Sequence, residues 1–202
     1  PIPEDQSAAQ QEFSALFDEA DDYANWMELV EDHSNIWPCI QIYNQSESQI
    51  RTQIADVQAL GRPYALRIVL DEFPANLDAA VNAFAAGGFA DFAIIIEGGW
   101  TNDPLSLSAQ MTGILTEALR PIDAAVPIVL SCTSIPKMFT SFDGDQPAAV
   151  PFTNRLLVDQ IIRNTNRQHI IYGDWASTRP REQGGFASRP LDRIDYPTDR
   201  SW

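Results

Sequence analysis

Apolar residues recur along this chain with two periods. Phe13, Leu16, Phe17, Ala20 and Tyr23 are spaced by three and four, as on a helix with one apolar face. The spacing predicts one long helix or two shorter ones over 5–31. Residues 36–43, IWPCIQIY, are an apolar run of strand type. Ser46 or Ser48 can cap the next helix. Its face is Ile50, Ile54, Val57 and Leu60, and Gly61 supplies the stop.

The unit then repeats. Residues 64–71, YALRIVLD, predict a strand. Asn76 is placed to cap a helix carrying Leu77, Ala80, Val81 and Phe84, closed by Gly87-Gly88. Residues 90–97, ADFAIIIE, are the next strand. Asp103-Pro104 is a cap followed by proline at the first helical position. The helix carries Leu107, Met111, Ile114, Leu115 and Ala118 and stops before Pro121. Strand 126–131, helix 153–165 and strand 169–174 follow, and 191–196 is a candidate sixth strand. The segment 133–151 is expected to be a long mobile loop over the strand carboxyl ends.

Helices alternating with strands imply an α/β fold with a parallel sheet. The strands are nearly continuous apolar runs, as in sheets covered by helices. Two architectures fit: an open doubly wound sheet and part of a (β/α) barrel. The chain opens on Pro1-Ile2-Pro3 and stops at Ser201-Trp202, just after a strand-like segment. The expectation is one α/β domain over 1–202: an acidic helical segment, 1–35, then β/α repeats, 36–202. It would form an incomplete TIM-like barrel lacking its first two strands, since such barrels take ~250 residues. Strand 36–43 would then be an edge without a charge to blunt pairing. The missing part, a partner chain or the 5–31 helix should cover it.

Charge narrows the function. Lys and Arg total 13 against 28 Asp and Glu, a formal net charge of -15. No Lys or Arg precedes Arg51, whereas the C-terminal stretch carries Arg179, Arg181, Arg189, Arg193 and Arg200. So acidic a chain lacks the basic surface that nucleic acid or an anionic membrane requires. No apolar run approaches the ~18 residues of a membrane span. The two cysteines, Cys39 and Cys132, lie in apolar runs and read as buried free thiols, which fits a reducing, cytoplasmic compartment. His33 and His169 share no close spacing with each other or with a cysteine, which argues against a zinc site.

GxGxxG, GxxxxGK[ST], GxSxG and HExxH are all absent, so dinucleotide, P-loop, hydrolase-elbow and zinc-protease readings fail. The remaining signal is positional. In α/β folds, functional side chains collect at the carboxyl ends of the strands. Those ends carry Asp71, Glu97 and Asp174, the candidate catalytic carboxylates. Three such acids could divide acid and base roles or hold Mg²⁺ through oxygen ligands. Equally, they could be helix caps or a structural polar cluster. Arg67, inward on its strand, needs a carboxylate partner. Arg67, Ser134 and Arg155 are candidate ligand contacts. Trp100 and Trp175 each follow a strand end and either stack on a ring-bearing ligand or pack over the sheet. Gly98-Gly99 is a turn or a close backbone approach to phosphate. Arg155 and Asp159, one turn apart, are expected to pair at the surface.

Several segments are familiar as an ordered set: VPIVLSCTSIP, the Arg155 helix, HIIYGDWAS and RPLDRIDYPTDRSW. Over residues 36–202 they resemble the beta protein family, named after a protein of T-even-type bacteriophages and found in phages and bacteria. Trp175 stands where that family has tyrosine after Gly-Asp, and Asp195-Tyr196-Pro197-Thr198 replaces an Arg-Tyr-Thr-like segment. The resemblance implies a longer α/β barrel, of phage or phage-related origin, and carries no established activity. Its recurrent positions fall on Arg67, Ser134, Pro136, Arg155, Gly173, Asp174 and Trp202 here.

These readings leave two functions open. One is a small polar or anionic ligand held at the strand carboxyl ends, with hydrolytic chemistry as an option. The other is a non-catalytic interaction protein in phage–host conflict, meeting a protein partner through its acidic surface. The first expects Arg67, Asp71, Glu97 and Asp174 to converge at one end of the sheet.

Overall fold

A computed structural model of the chain describes residues 7–19, 23–87, 91–134, 149–151, 153–165, 167 and 169–173. Two short helices, α1 (Ala8–Ala15) and α2 (Ala24–Asp32), precede α3 (Glu47–Ala59). Then come β1 (Tyr64–Val69), α4 (Leu77–Ala86), β2 (Phe92–Trp100), α5 (Pro104–Gly113), β3 (Ile128–Thr133), α6 (Thr153–Thr165) and β4 (Ile170–Gly173). Helix α5 runs on through a π-helical turn, Ile114–Ala118. Arg167 Nη2 donates to the Leu119 carbonyl at 2.8 Å, closing that turn, and burial pushes the guanidinium pKa down.

The sheet is all parallel, in the order β1-β2-β3-β4. One residue set of each strand faces the helices: Tyr64, Leu66 and Ile68, then Phe92, Ile94 and Ile96, then Ile128, Leu130 and Cys132. These join Ile54 and Val57 of α3, Ala80 and Phe84 of α4, Met111 of α5, and Leu157 and Ile161 of α6 in one core. Each large side chain buried here contributes about 1.5–3 kcal/mol. Tyr64, Phe84 and Phe92 form an aromatic trio with centroids 5.3–5.7 Å apart. The alternate residues face the other way. Arg67 and Ile171 are exposed there, and Val69, Ala93, Ile95, Val129 and Ser131 are half-buried.

Local chemistry sets the boundaries. Ser46 caps α3 in a capping box with Gln49, and Gly61 follows with φ +64°. Asp103 caps α5 by accepting the Ser106 amide at 3.1 Å, with Pro104 at the first helical position. Asn76 precedes α4 but makes no capping bond. Its amide instead donates to the carbonyls of Ile42 and Gln45, both at 2.6 Å.

Four expectations are corrected. Residues 36–43 do not form a strand. They make a single parallel bridge, Cys39 to Ala65, beside β1. Pro38 and Ile40 bond Ala65, so alternation turns the backbone of Gln41 outward. There the Gln53 side chain takes both its groups, accepting from the amide and donating to the carbonyl at 3.0 Å each. A side chain from α3 thus occupies the edge. The apolar stripe predicted over 5–31 is not buried throughout either: α1 ends at Ala15, and Phe13 and Phe17 are exposed and stack edge-on, 5.2 Å apart, whereas Tyr23 is buried. Arg155 and Asp159 form no ion pair among the described residues, both staying exposed on α6. Cys39 is only partly buried, whereas Cys132 is fully so, and both are free thiols. The 133–151 loop lies largely, and the 191–196 strand entirely, outside the described residues.

Candidate functional site

The face of the sheet opposite the α3–α6 core is built in rungs. Val69, Glu97, Ser131 and Gly173 share one rung across four strands. Arg67, Ile95, Val129 and Ile171 share the rung two residues earlier. The face is therefore apolar low down and polar towards the carboxyl ends, with Arg67 on the boundary.

Arg67 reaches up and across to β2. Its Nε donates to Glu97 Oε2 at 2.7 Å, and Nη2 contacts the same oxygen. Glu97 is largely buried, while the Arg67 side chain is 48% exposed. Both guanidinium bonds converge on one carboxylate oxygen. Among the described residues, Glu97 Oε1 and Arg67 Nη1 are left for other partners. Cys39 and Tyr43 stand within electrostatic reach of this pair. Burial pushes the Cys39 thiol up; Arg67 opposes the rise and Glu97 adds to it. Burial also raises the Tyr43 phenol, which donates to the Glu72 carbonyl at 2.9 Å.

Above the ion pair, β2 bulges. The register slips between Glu97 and Gly99, so that Gly99 pairs with Cys132 and Trp100 with Thr133. A Cβ on Gly98 would lie 2.7 Å from Met111 Cε, and Gly99 has φ +58°. A side chain at position 98 would have to push the Met111 and Leu107 side-chain ends aside, and the positive φ at position 99 favours glycine. A Cβ on Gly99 would sit 3.3 Å from Asp71 Oδ2, which places Asp71 at the bulge.

At the end of β3, Asn154, from the first turn of α6, is fully buried. Its amide donates to the Cys132 carbonyl at 3.1 Å and to Tyr172 Oη at 2.7 Å. Its carbonyl accepts from Ser134 Oγ at 2.7 Å. Asn154 thus ties α6, β3 and β4 together and fixes the Ser134 hydroxyl.

Of the candidate residues, Arg67 and Glu97 meet directly, and Asp71 and Trp100 flank the bulge just above them. Ser134 is held apart in the Asn154 network, and Arg155 is exposed on the next residue of α6. Asp174 and Trp175 lie outside the described residues. No three His, Cys, Asp or Glu side chains among the described residues are grouped to hold a metal; the Mg²⁺ expectation includes Asp174, which lies outside them. Sequence reading missed Cys39 and Tyr43 as neighbours of the pair, and Asn154 as the organiser of Ser134. No sequence signal marks Asn154.

Among the described residues, no helix is long and apolar enough to cross a membrane. The family model described as Beta protein matches residues 2–202. Neither a curated protein nor a solved structure matches the chain.

Proposed function

The chain belongs to the Beta protein family, and on that premise we propose that it binds a small polar or anionic ligand at the carboxyl ends of its parallel strands. One observation carries the reading: the Arg67 guanidinium is held through a single Glu97 oxygen, on the sheet face opposite the core that α3–α6 share. A cation oriented by a buried carboxylate, with N–H groups to spare, is a pre-organised anion anchor. Ser131, on the Glu97 rung, adds a hydroxyl. If the ligand is hydrolysed, Asp71 is the carboxylate for proton transfer, because Glu97 is committed to Arg67. Asp174 belongs with it as a candidate.

The sheet order supports a barrel-type setting, and the free thiols Cys39 and Cys132 support a reducing, cytoplasmic compartment. A doubly wound sheet reverses its strand order at a switch point and carries helices on both faces. Here the order is sequential, and α3, α4, α5 and α6 share one core on one face. In a TIM-like barrel the opposite face is the interior, and its carboxyl end is the functional end.

The test is thermal unfolding with a panel of anions, inorganic phosphate and citrate included, on the wild type and on Arg67→Met. Binding to the native state raises the wild-type melting temperature, and the variant should lose that rise. Equal shifts in both proteins, or none in the wild type, would sink the proposal. A second reading rests on the exposed Phe13–Phe17 pair at the carboxyl end of α1, which suits a protein partner. It predicts loss of partner binding in Phe13→Ser with the anion response intact.

A further inference from the structure

The glycine bulge decides which way Trp100 points. Along β2, Phe92, Ile94 and Ile96 face the helices, and Gly98 abuts Leu107 and Met111 of α5. Uninterrupted alternation would send residue 100 to that same side. The slip at Gly98-Gly99 inserts one extra residue and pairs Trp100 with Thr133. Thr133 is two residues beyond Ser131 on β3 and so shares its face. Register partners in a sheet point the same way, so the bulge turns Trp100 onto the face that carries Arg67, Glu97 and Ser131. Trp100 remains 37% exposed there. Both glycines are favoured by their surroundings, one by close contact with the Met111 and Leu107 side chains of α5 and one by its φ. The reorientation is therefore built into the backbone.

The spacing gives the ligand its shape. The Arg67 guanidinium sits at the Glu97 rung, because it bonds that carboxylate. Trp100 stands two rungs above, at about 3.3 Å per rung, or roughly 7 Å. We infer that this face takes a ring-bearing anion: a flat aromatic or heteroaromatic ring against Trp100, with a phosphate or carboxylate about 7 Å away on Arg67. Nucleoside monophosphates and aryl phosphates share that layout. The open Glu97 oxygen accepts from a hydroxyl or amino group between the two ends. This inference rests on the anion site proposed above and adds the ring to it.

The test compares inorganic phosphate, phenyl phosphate, a nucleoside monophosphate and the matching nucleoside by calorimetric titration. The wild type, Arg67→Met, Trp100→Leu and Trp100→Phe are used, each checked for folding by circular dichroism. Ring-bearing anions should bind the wild type roughly tenfold or more tighter than phosphate, as stacking on an aromatic side chain supplies. Trp100→Leu should lose that advantage and keep phosphate binding, and Trp100→Phe should retain most of it. Phenyl phosphate matching the nucleotide would identify the ring alone as the determinant; a nucleotide advantage would assign the sugar hydroxyls to Glu97. If phosphate binds through Arg67 but the ring adds nothing, or Trp100→Leu changes nothing, this inference is overturned and the anion site stands. If no anion binds, both are overturned.

Discussion

Arg67 and Glu97 share a single carboxylate oxygen across two neighbouring strands, with Nε 2.7 Å from Oε2. Their positions differ by one rung pair: Arg67 is opposite Ile95, and Glu97 is opposite Val69. The carboxylate is the buried partner and the guanidinium the wetter one, so the two deletions are unequal. Arg67→Met leaves a largely buried carboxylate without its cation and should destabilise by about 1–3 kcal/mol. Glu97→Gln leaves a solvated guanidinium and should cost less. Urea unfolding of both single variants and the double variant measures the coupling, expected near 1 kcal/mol for a half-exposed pair. A coupling of zero would mean that the pair is incidental.

Gln53 holds the sheet edge through its bonds to both backbone groups of Gln41, at 3.0 Å each. Gln53→Leu keeps the bulk and removes both bonds. Each lost bond is worth about 1 kcal/mol, so stability should fall by about 2 kcal/mol. The freed edge should also promote concentration-dependent association, because unpaired strand edges template further pairing. Light scattering beside the unfolding curve separates the two effects. A variant as stable and as monodisperse as the wild type would show that Gln53 does not guard the edge.

Two glycines should respond with opposite signs. A Cβ on Gly173 would lie 2.9 Å from Val129 Cγ1 and 3.3 Å from the Ser131 backbone. Gly173→Ala therefore overpacks the Glu97–Ser131 rung and should destabilise by about 1–3 kcal/mol. A Cβ on Gly113, in α5, meets nothing within 4 Å. Gly113→Ala should stabilise by about 0.5–1 kcal/mol, from helix propensity and lower unfolded-state entropy. Melting temperatures of the two variants decide the signs.

The alternation of β and α, the parallel sheet and most caps were legible, because they are local. Ser46 with Gln49, Asp103 with Pro104, and Gly61 each act within one turn of the residue they terminate. The failures came from competition between distant groups. Residues 36–43 have strand composition, yet the Gln53 amide takes Gln41 and the ladder stops after one bridge. Asn76 has the side chain of a cap, but the carbonyls of Ile42 and Gln45 claim it. The site was half legible. Placing Arg67 beside a strand-end acid follows from burying a charge on a strand. Which acid it meets depends on the β1–β2 register, and the direction of Trp100 depends on a one-residue slip. Neither has a local signature beyond two adjacent glycines.

The last prediction concerns alkaline pH and the thiol beside the ion pair. Burial raises Cys39 above its ordinary value of 9.0, and Tyr23, Tyr43 and Tyr64 above 10.0. Below the unfolded values, every one of these groups is protonated in both states, and their contribution to stability is fully present. As pH rises past 9.0, the unfolded chain releases the Cys39 proton while the folded chain keeps it. The unfolded state is then favoured, and stability falls until the folded thiol also ionises. The tyrosines extend the decline to higher pH. Cys39→Ala should therefore flatten only the first part of the alkaline limb in urea unfolding. The neighbours give an independent check. Arg67 lowers the Cys39 pKa and Glu97 raises it, so Arg67→Met should slow thiol alkylation and Glu97→Gln should speed it. Rates of iodoacetamide reaction against pH measure this directly, since the thiolate is the nucleophile. Shifts in the same direction for both variants would show that the ion pair does not set the electrostatics at Cys39.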